Sequence, residues 1–102
     1  MIHVFAIITA KPGNREAILE AFRANVPAVR AEAGCIEYEP ATDADGVGSA
    51  QTKLGADTFV VIEKWESLDH LKAHGGTPHM AAFGAKTKGL IASCVIHVLS
   101  PV

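Results

Sequence analysis

Histidine is the side chain best suited to move a proton near neutral pH, and one of the five histidines in this sequence stands out by its position. His79 follows Pro78, a residue that is favoured in the first turn of a helix. The backbone N–H groups at that end carry partial positive charge, which favours the neutral imidazole that can accept a proton. We therefore predict His79 as a general base; the alternative is a hydrogen-bonded structural histidine.

A carboxylate lies among apolar residues on one face of a predicted strand, which carries Phe59, Val61, Glu63 and Trp65 at alternate positions. If this face lines a cavity, Glu63 needs a partner such as a histidine or a tyrosine, because an unpaired buried carboxylate is costly or protonated. Glu63 is then a candidate to orient the base or to act on a substrate hydroxyl. A salt bridge at the strand end is the alternative.

Two aromatic side chains could contact a bound ring. Tyr38 shares a predicted strand face with Ile36, and its phenol could donate a hydrogen bond to an oxygen of the ligand. Trp65 could stack against the ligand. The alternative for both is packing in the core with the polar tip satisfied.

Other residues with metal or redox chemistry give weaker signals. His70 and His74 are four residues apart and share a helix face, as two metal ligands would, but no third ligand has a matching spacing. We predict no metal, with His74 facing the cavity or the strand end. Cys35 and Cys94 are expected to be reduced, mostly buried thiols, since no secretory signal is recognisable.

The composition restricts the possible classes of function. The 102 residues predict one domain over residues 1–102 with one modest core, yet 49% are hydrophobic and 20% charged. Part of the apolar surface is therefore expected to face another subunit. The net charge of −2, with scattered basic residues, argues against nucleic acid. No apolar run approaches the roughly 20 residues that span a bilayer, so we expect a soluble cytoplasmic protein.

The first half of the chain predicts a strand, a helix and a second strand. Residues 2–10 are rich in β-forming residues and apolar on both faces. An amphipathic helix follows to about residue 33, with a kink or a break near Asn25 because Pro27 removes a backbone donor, and Gly34 ends it. Residues 35–42 alternate as a second strand.

Residues 43–57 contain three glycines with polar neighbours, which predicts a long mobile connection without secondary structure. Residues 57–66 then predict a third strand, and Ser67 can cap a short helix that Gly75–Gly76 ends. Pro78 starts another helix, in which apolar positions continue to Leu90 and Ile91.

Residues 93–99 complete the order β-α-β-β-α-β with a broken second helical region, the order of a ferredoxin-like α+β domain with an antiparallel sheet. Helices cover only one sheet face in this fold, so strands that are apolar on both faces need a second cover. We therefore predict a homodimer.

Several segments resemble the antibiotic biosynthesis monooxygenase family. They are EAGCIEY at residues 32–38, FVVIEKWESLDHLKAH at residues 59–74, the Thr-Pro-His at residues 77–79, and Phe83. The resemblance implies a dimeric α+β barrel, a cavity between the sheet and helices of each subunit, and oxidation of quinols or polyphenols without a cofactor. It also extends to relatives that process haem or signalling metabolites.

Two departures from the family pattern affect this interpretation. The connection over residues 43–57 is longer than the usual hairpin of the family. The haem-degrading relatives use an asparagine on the first strand, which this chain lacks, and His74 and Gly84 stand where their tryptophan and histidine would align. Haem degradation is thereby disfavoured.

The leading hypothesis is a cofactor-independent monooxygenase that oxidises small aromatic diols or quinols with molecular oxygen. Its predicted site comprises His79 as base, Glu63 orienting it, and a cavity lined by Tyr38, Trp65, His74 and Phe83. Two alternatives stay open: an isomerase or degradative enzyme for a small carbonyl or signalling metabolite, and a ligand-binding dimer without enzymatic activity.

Overall fold

The computed structural model describes residues 1–102 and contains one antiparallel sheet with strand order β2-β3-β1-β4. The elements are β1 (Ile2–Ala10), α1 (Arg15–Arg30), β2 (Cys35–Ala41), a 3-10 helix (Gly48–Ala50), β3 (Thr58–Trp65), α2 (Leu68–Gly75), α3 (Pro78–Thr87) and β4 (Ile91–Leu99). The predicted ferredoxin-like α+β class is confirmed, with the second helical region formed by two helices.

The short helices begin where their capping residues predict. The Ser67 hydroxyl accepts a hydrogen bond from the backbone N–H of His70, and the Thr77 hydroxyl accepts one from that of Met80. Pro78 occupies the first turn of α3, where its missing N–H costs nothing. α3 ends at Thr87, so the predicted continuation to Leu90 and Ile91 is wrong, and Ile91 already belongs to β4.

The predicted break in α1 near Asn25 is also wrong, because α1 is one helix from Arg15 to Arg30. Pro27 lies in the last turn, where the backbone N–H of Ala31 still donates to the Pro27 carbonyl at 3.1 Å. The helix ends three residues earlier than predicted. Its buried face carries Ile18, Leu19, Ala21, Phe22, Val26 and Val29.

A β-bulge changes the predicted alternation of β2. Cys35 pairs with Trp65 and Glu37 with Lys64, so Ile36 is an extra residue between two successive pairs. Tyr38 is buried, but Ile36 is 52% exposed. The prediction that these two side chains share a covered face is therefore wrong.

The long connection between β2 and β3 contains a short helix and internal hydrogen bonds that were not predicted. It contains the 3-10 helix, and the Asp43 carboxylate accepts hydrogen bonds from the backbone N–H groups of Leu54 and Gly55, both at 2.9 Å. These two bonds lower the pKa of Asp43. The mobility of the connection stays a prediction.

The helices cover one face of the sheet unevenly. The core lies under α1 and contains Val4, Ile8, Phe22, Val61 and Trp65 among its residues. The helix side of β4 has no such cover: Ile96 is 60% exposed. Cys94 on the same side is a free, exposed thiol, which corrects the expectation of a buried one. None of the helices is both long and apolar enough to span a membrane.

Candidate active site

A cavity of about 520 Å³ lies between the sheet and the helices α2 and α3. Most of its wall is apolar, with Val4, Ala6, Ile8, Val61, Leu71, Met80 and Ile96 among the lining residues. Four of the predicted site residues also line it: Tyr38, Glu63, His74 and Phe83. The volume is within the range typical of small-molecule sites, about 300–1,000 Å³.

Tyr38 and Glu63 are direct partners across β2 and β3. Both side chains are nearly buried, with 3% and 6% exposure. Burial raises the pKa of Glu63, although the hydrogen bond from Trp65 and the nearby His74 lower it. Burial, together with Glu63 and Glu32, raises the pKa of Tyr38 as well. Both groups therefore hold their protons to higher pH than they would in water.

Trp65 is fully buried and does not line the cavity. The expected stacking of its ring against a ligand is therefore not supported. Its indole N–H donates to Glu63 Oε1 at 2.9 Å, and its ring packs against that of His74 with 4.7 Å between centroids. Trp65 instead fixes the orientation of two cavity residues.

Glu32 is a site residue that the sequence patterns did not indicate. It lies in the turn after α1, and its side chain is 11% exposed. Glu32 Oε2 accepts from Nδ1 of His74 at 2.9 Å and from Nε2 of His79 at 2.7 Å. One carboxylate thus joins the turn after α1 to both α2 and α3. The available signal was an acidic residue just beyond a helix C-terminus, where basic residues are favoured.

The structure does not bring His79 into the cavity. Its ring lies in a separate hollow of about 190 Å³ between α1 and α3, beside Ala21, Ala24 and Asn25. The expected pairing of His79 with Glu63 is wrong: His79 bonds to Glu32, while Glu63 bonds to Trp65. His79 therefore reaches the cavity wall only through Glu32 and His74.

His74 is the imidazole that faces the cavity, and it is 5% exposed. Because Nδ1 contacts the Glu32 carboxylate, a neutral His74 carries its proton on Nδ1 and leaves Nε2 as the acceptor. No protein atom pairs with Nε2, and Nε2 is not one of the buried side-chain atoms that lack a partner. Nε2 is therefore accessible rather than sealed.

His70 does not join His74 in a ligand set. Its Nδ1 contacts the Ser67 hydroxyl at 2.7 Å, whereas Nδ1 of His74 contacts Glu32. The structure contains no group of three or more His, Cys, Asp or Glu side chains arranged to hold a metal ion.

Residues 1–86 match the family described as antibiotic biosynthesis monooxygenase. The chain is 40% identical over 103 residues to the protein named "Probable quinol monooxygenase YgiN" of Escherichia coli strain K12, covering 99% of this chain and 98% of that relative. Among solved structures, PA3566 from Pseudomonas aeruginosa is 31% identical with a TM-score of 0.82, over 99% of this chain and 93% of that one. Rv0793 from Mycobacterium tuberculosis is 27% identical with a TM-score of 0.80, over 99% and 94%.

Proposed function

The chain belongs to the antibiotic biosynthesis monooxygenase family, and from this premise we propose that it oxidises small aromatic diols or quinols with molecular oxygen and without a cofactor. The name of the Escherichia coli relative supports the quinol substrate. The observation that carries the proposal is the Glu32–His74 pair at the wall of a mainly apolar cavity.

The reaction balances without an external reductant. A quinol and one O₂ give a hydroxyquinone and one water: one oxygen atom enters a ring C–H bond, and the other leaves as water. The quinol supplies all four electrons, two in becoming a quinone and two in the C–H oxidation. The protein must then supply mainly a base that forms the quinolate, which reduces oxygen more readily than the quinol, and a pocket that excludes water.

We assign the base to His74 rather than to His79, which the sequence had favoured. Nε2 of His74 takes the proton of a substrate hydroxyl, and the resulting imidazolium is stabilised by the Glu32 carboxylate at Nδ1. His79 becomes a positioning residue that donates to the same carboxylate at 2.7 Å. Phe83 and the other apolar lining residues contact the aromatic ring.

The test is oxygen uptake on hydroquinones, catechols and naphthoquinols, in metal-free buffer, with the wild type and His74→Gln. A general base contributes roughly 10²–10⁴-fold, so the variant should lose at least about 100-fold in kcat. His70→Gln is the matched control, because His70 also lies on α2 but contacts Ser67 and does not line the cavity.

Uptake by His74→Gln within a few-fold of the wild type would refute the assignment of the base. Absence of uptake by the wild type on the whole panel would refute the monooxygenase proposal. Turnover of a carbonyl metabolite under strict anaerobiosis would then favour the isomerase.

We also propose that a second copy of the chain covers the sheet face opposite the helices. That face exposes Phe5, Val95 and Leu99, each by more than 40%, which is unusual for an isolated sheet. Phe5→Glu should convert the dimer to a monomer in analytical ultracentrifugation, whereas Val47→Glu, in the long connection, should not. A wild type that sediments as a monomer at all concentrations would contradict the proposal.

A further inference from the structure

We infer that Tyr38 and Glu63 form a binding site for an oxyanion, in which both side chains donate hydrogen bonds to the oxygen of a deprotonated aromatic hydroxyl. The inference rests on the proposed function for the identity of the ligand. It gives Glu63 the role of a neutral acid, not of the carboxylate base or orienting group that the sequence had suggested.

The sheet sets the spacing of the two donors. Tyr38 and Glu63 are cross-strand partners whose side chains point to the same face, so their Cβ atoms lie about 5 Å apart. Both line the cavity. The Tyr38 ring is fixed by stacking on Phe22, with 5.1 Å between centroids. Glu63 is fixed by the indole of Trp65, which occupies Oε1 and leaves Oε2 free.

The free polar atoms are open to the cavity. No protein atom pairs with the Tyr38 hydroxyl or with Glu63 Oε2, and neither is a buried atom without a partner. Two nearly buried side chains therefore present unused hydrogen-bonding atoms to the same apolar space. Polar atoms that face a cavity and have no protein partner are free to bind water or a ligand.

The protonation of the pair suits an anion. The raised pKa of each group favours the phenol and the carboxylic acid, which are both donors. The titratable groups around Glu63 are Tyr38, His74, Glu32 and the thiols of Cys35 and Cys94. The negative charge of Glu32 disfavours a second carboxylate nearby, so the proton stays on Glu63 more readily.

The ligand class follows from the position of the base. When His74 takes the proton of an aromatic hydroxyl, a negative charge develops on that oxygen inside a mainly apolar cavity. Donors that are already in position stabilise such a charge without reorganisation, and they are worth more there than in water. The pair therefore selects aromatic compounds whose hydroxyl can ionise.

The experiment measures equilibrium binding of 2-naphthol and naphthalene under argon, by fluorescence, and the fraction of bound naphthol that is ionised, from its absorbance. Tyr38→Phe removes one donor and keeps the ring, so it should bind naphthol roughly 10- to 100-fold more weakly with a lower ionised fraction. Its affinity for naphthalene should not change.

Glu63→Gln retains an uncharged donor and should bind naphthol within about threefold of the wild type at low pH. As pH rises through the titration of Glu63, the wild type acquires a carboxylate that repels the anion, so its naphthol affinity falls relative to that of Glu63→Gln.

Equal naphthol affinity and ionised fraction in Tyr38→Phe and wild type would overturn the inference. So would a naphthol affinity of Glu63→Gln that falls relative to that of the wild type as pH rises, because it would show that Glu63 contributes to binding as a carboxylate. No step requires oxygen or turnover. A protein that fails in oxygen uptake but shows these binding differences would therefore refute the proposed function and support the oxyanion site.

Discussion

Replacing Glu32 by glutamine removes the charge that two histidines share and leaves the size of the side chain nearly unchanged. Nδ1 of His74 and Nε2 of His79 both donate to Glu32 Oε2, at 2.9 Å and 2.7 Å. The amide oxygen can take the place of Oε2 and accept both bonds, but without a full negative charge, and the NH₂ group then takes the place of Oε1, which His74 Nδ1 contacts at 3.2 Å. Two charge-assisted bonds become neutral ones, and two N–H donors face each other at His74, around a side chain that is 11% exposed.

Each of these effects costs about 1–3 kcal/mol, so we expect Glu32→Gln to lower the free energy of unfolding by about 2–4 kcal/mol. The His74 imidazolium also loses its counter-charge, so kcat on the best quinol should fall by roughly 10²–10⁴-fold. Urea unfolding at one fixed protein concentration and oxygen uptake measure the two effects.

Glu16→Gln is the matched control, because Glu16 lies on α1 and forms an exposed ion pair with Arg23 at 2.8 Å. Exposed pairs contribute about 0–1 kcal/mol. If Glu32→Gln destabilises the protein no more than Glu16→Gln does and keeps its kcat, the Glu32 carboxylate neither holds the histidines nor supports the base.

Three further predictions test other parts of the structure. His79→Ala should lower kcat roughly tenfold through loss of a charge-assisted bond. Added imidazole should restore activity, whereas neutral 1-methylimidazole, which has no N–H, should not. Equal rescue by both compounds would indicate that they only fill space. Gly34→Ala should destabilise the protein by about 2–5 kcal/mol in urea unfolding, because φ is +82° and a Cβ would collide with the His70 ring. Gly13→Ala, at φ +79° in open space, should cost only about 1–2 kcal/mol. Equal losses in the two variants would contradict the collision. Since burial raises the pKa of Glu63, the folded protein keeps this proton to higher pH than the unfolded chain does. The free energy of unfolding should therefore fall as pH rises from the pKa of Glu63 in the unfolded chain to its pKa in the folded protein. Glu63→Gln should lack this fall when unfolding is measured as a function of pH.

The sequence predicted the order of the elements because the signals for it are local. Ser67, Thr77 and Pro78 act on the first turns of their own helices. Contrary to the prediction, Gly34 does not end α1 but adopts the left-handed conformation in the turn just before β2. The bulge at Ile36 was not predictable in this way. It depends on how β2 pairs with β3, and a run of alternating residues does not contain that register.

The sequence predicted four residues that line the cavity, but not the hydrogen bonds that hold the histidines. The alternation in β3 correctly placed Glu63 with the buried side chains, because strand parity is a local property. The partner of His79 depends instead on how α2 and α3 approach the end of α1. A histidine in the first turn of a helix can bond to whichever carboxylate the tertiary fold brings near it, and that carboxylate is Glu32 rather than Glu63.

The position of Glu32 is unfavourable for α1 itself. The C-terminal end of a helix carries partial negative charge, and a carboxylate there costs about 0.3–1 kcal/mol. Arg30 in the last turn does not neutralise Glu32 by a salt bridge, since its Nε donates to the Tyr38 carbonyl at 3.2 Å. The charge is instead compensated by His74 and His79. A residue that opposes the preference of its own helix and depends on two distant side chains is typical of a functional site. We therefore attribute Glu32 to the chemistry of the cavity and not to the stability of α1.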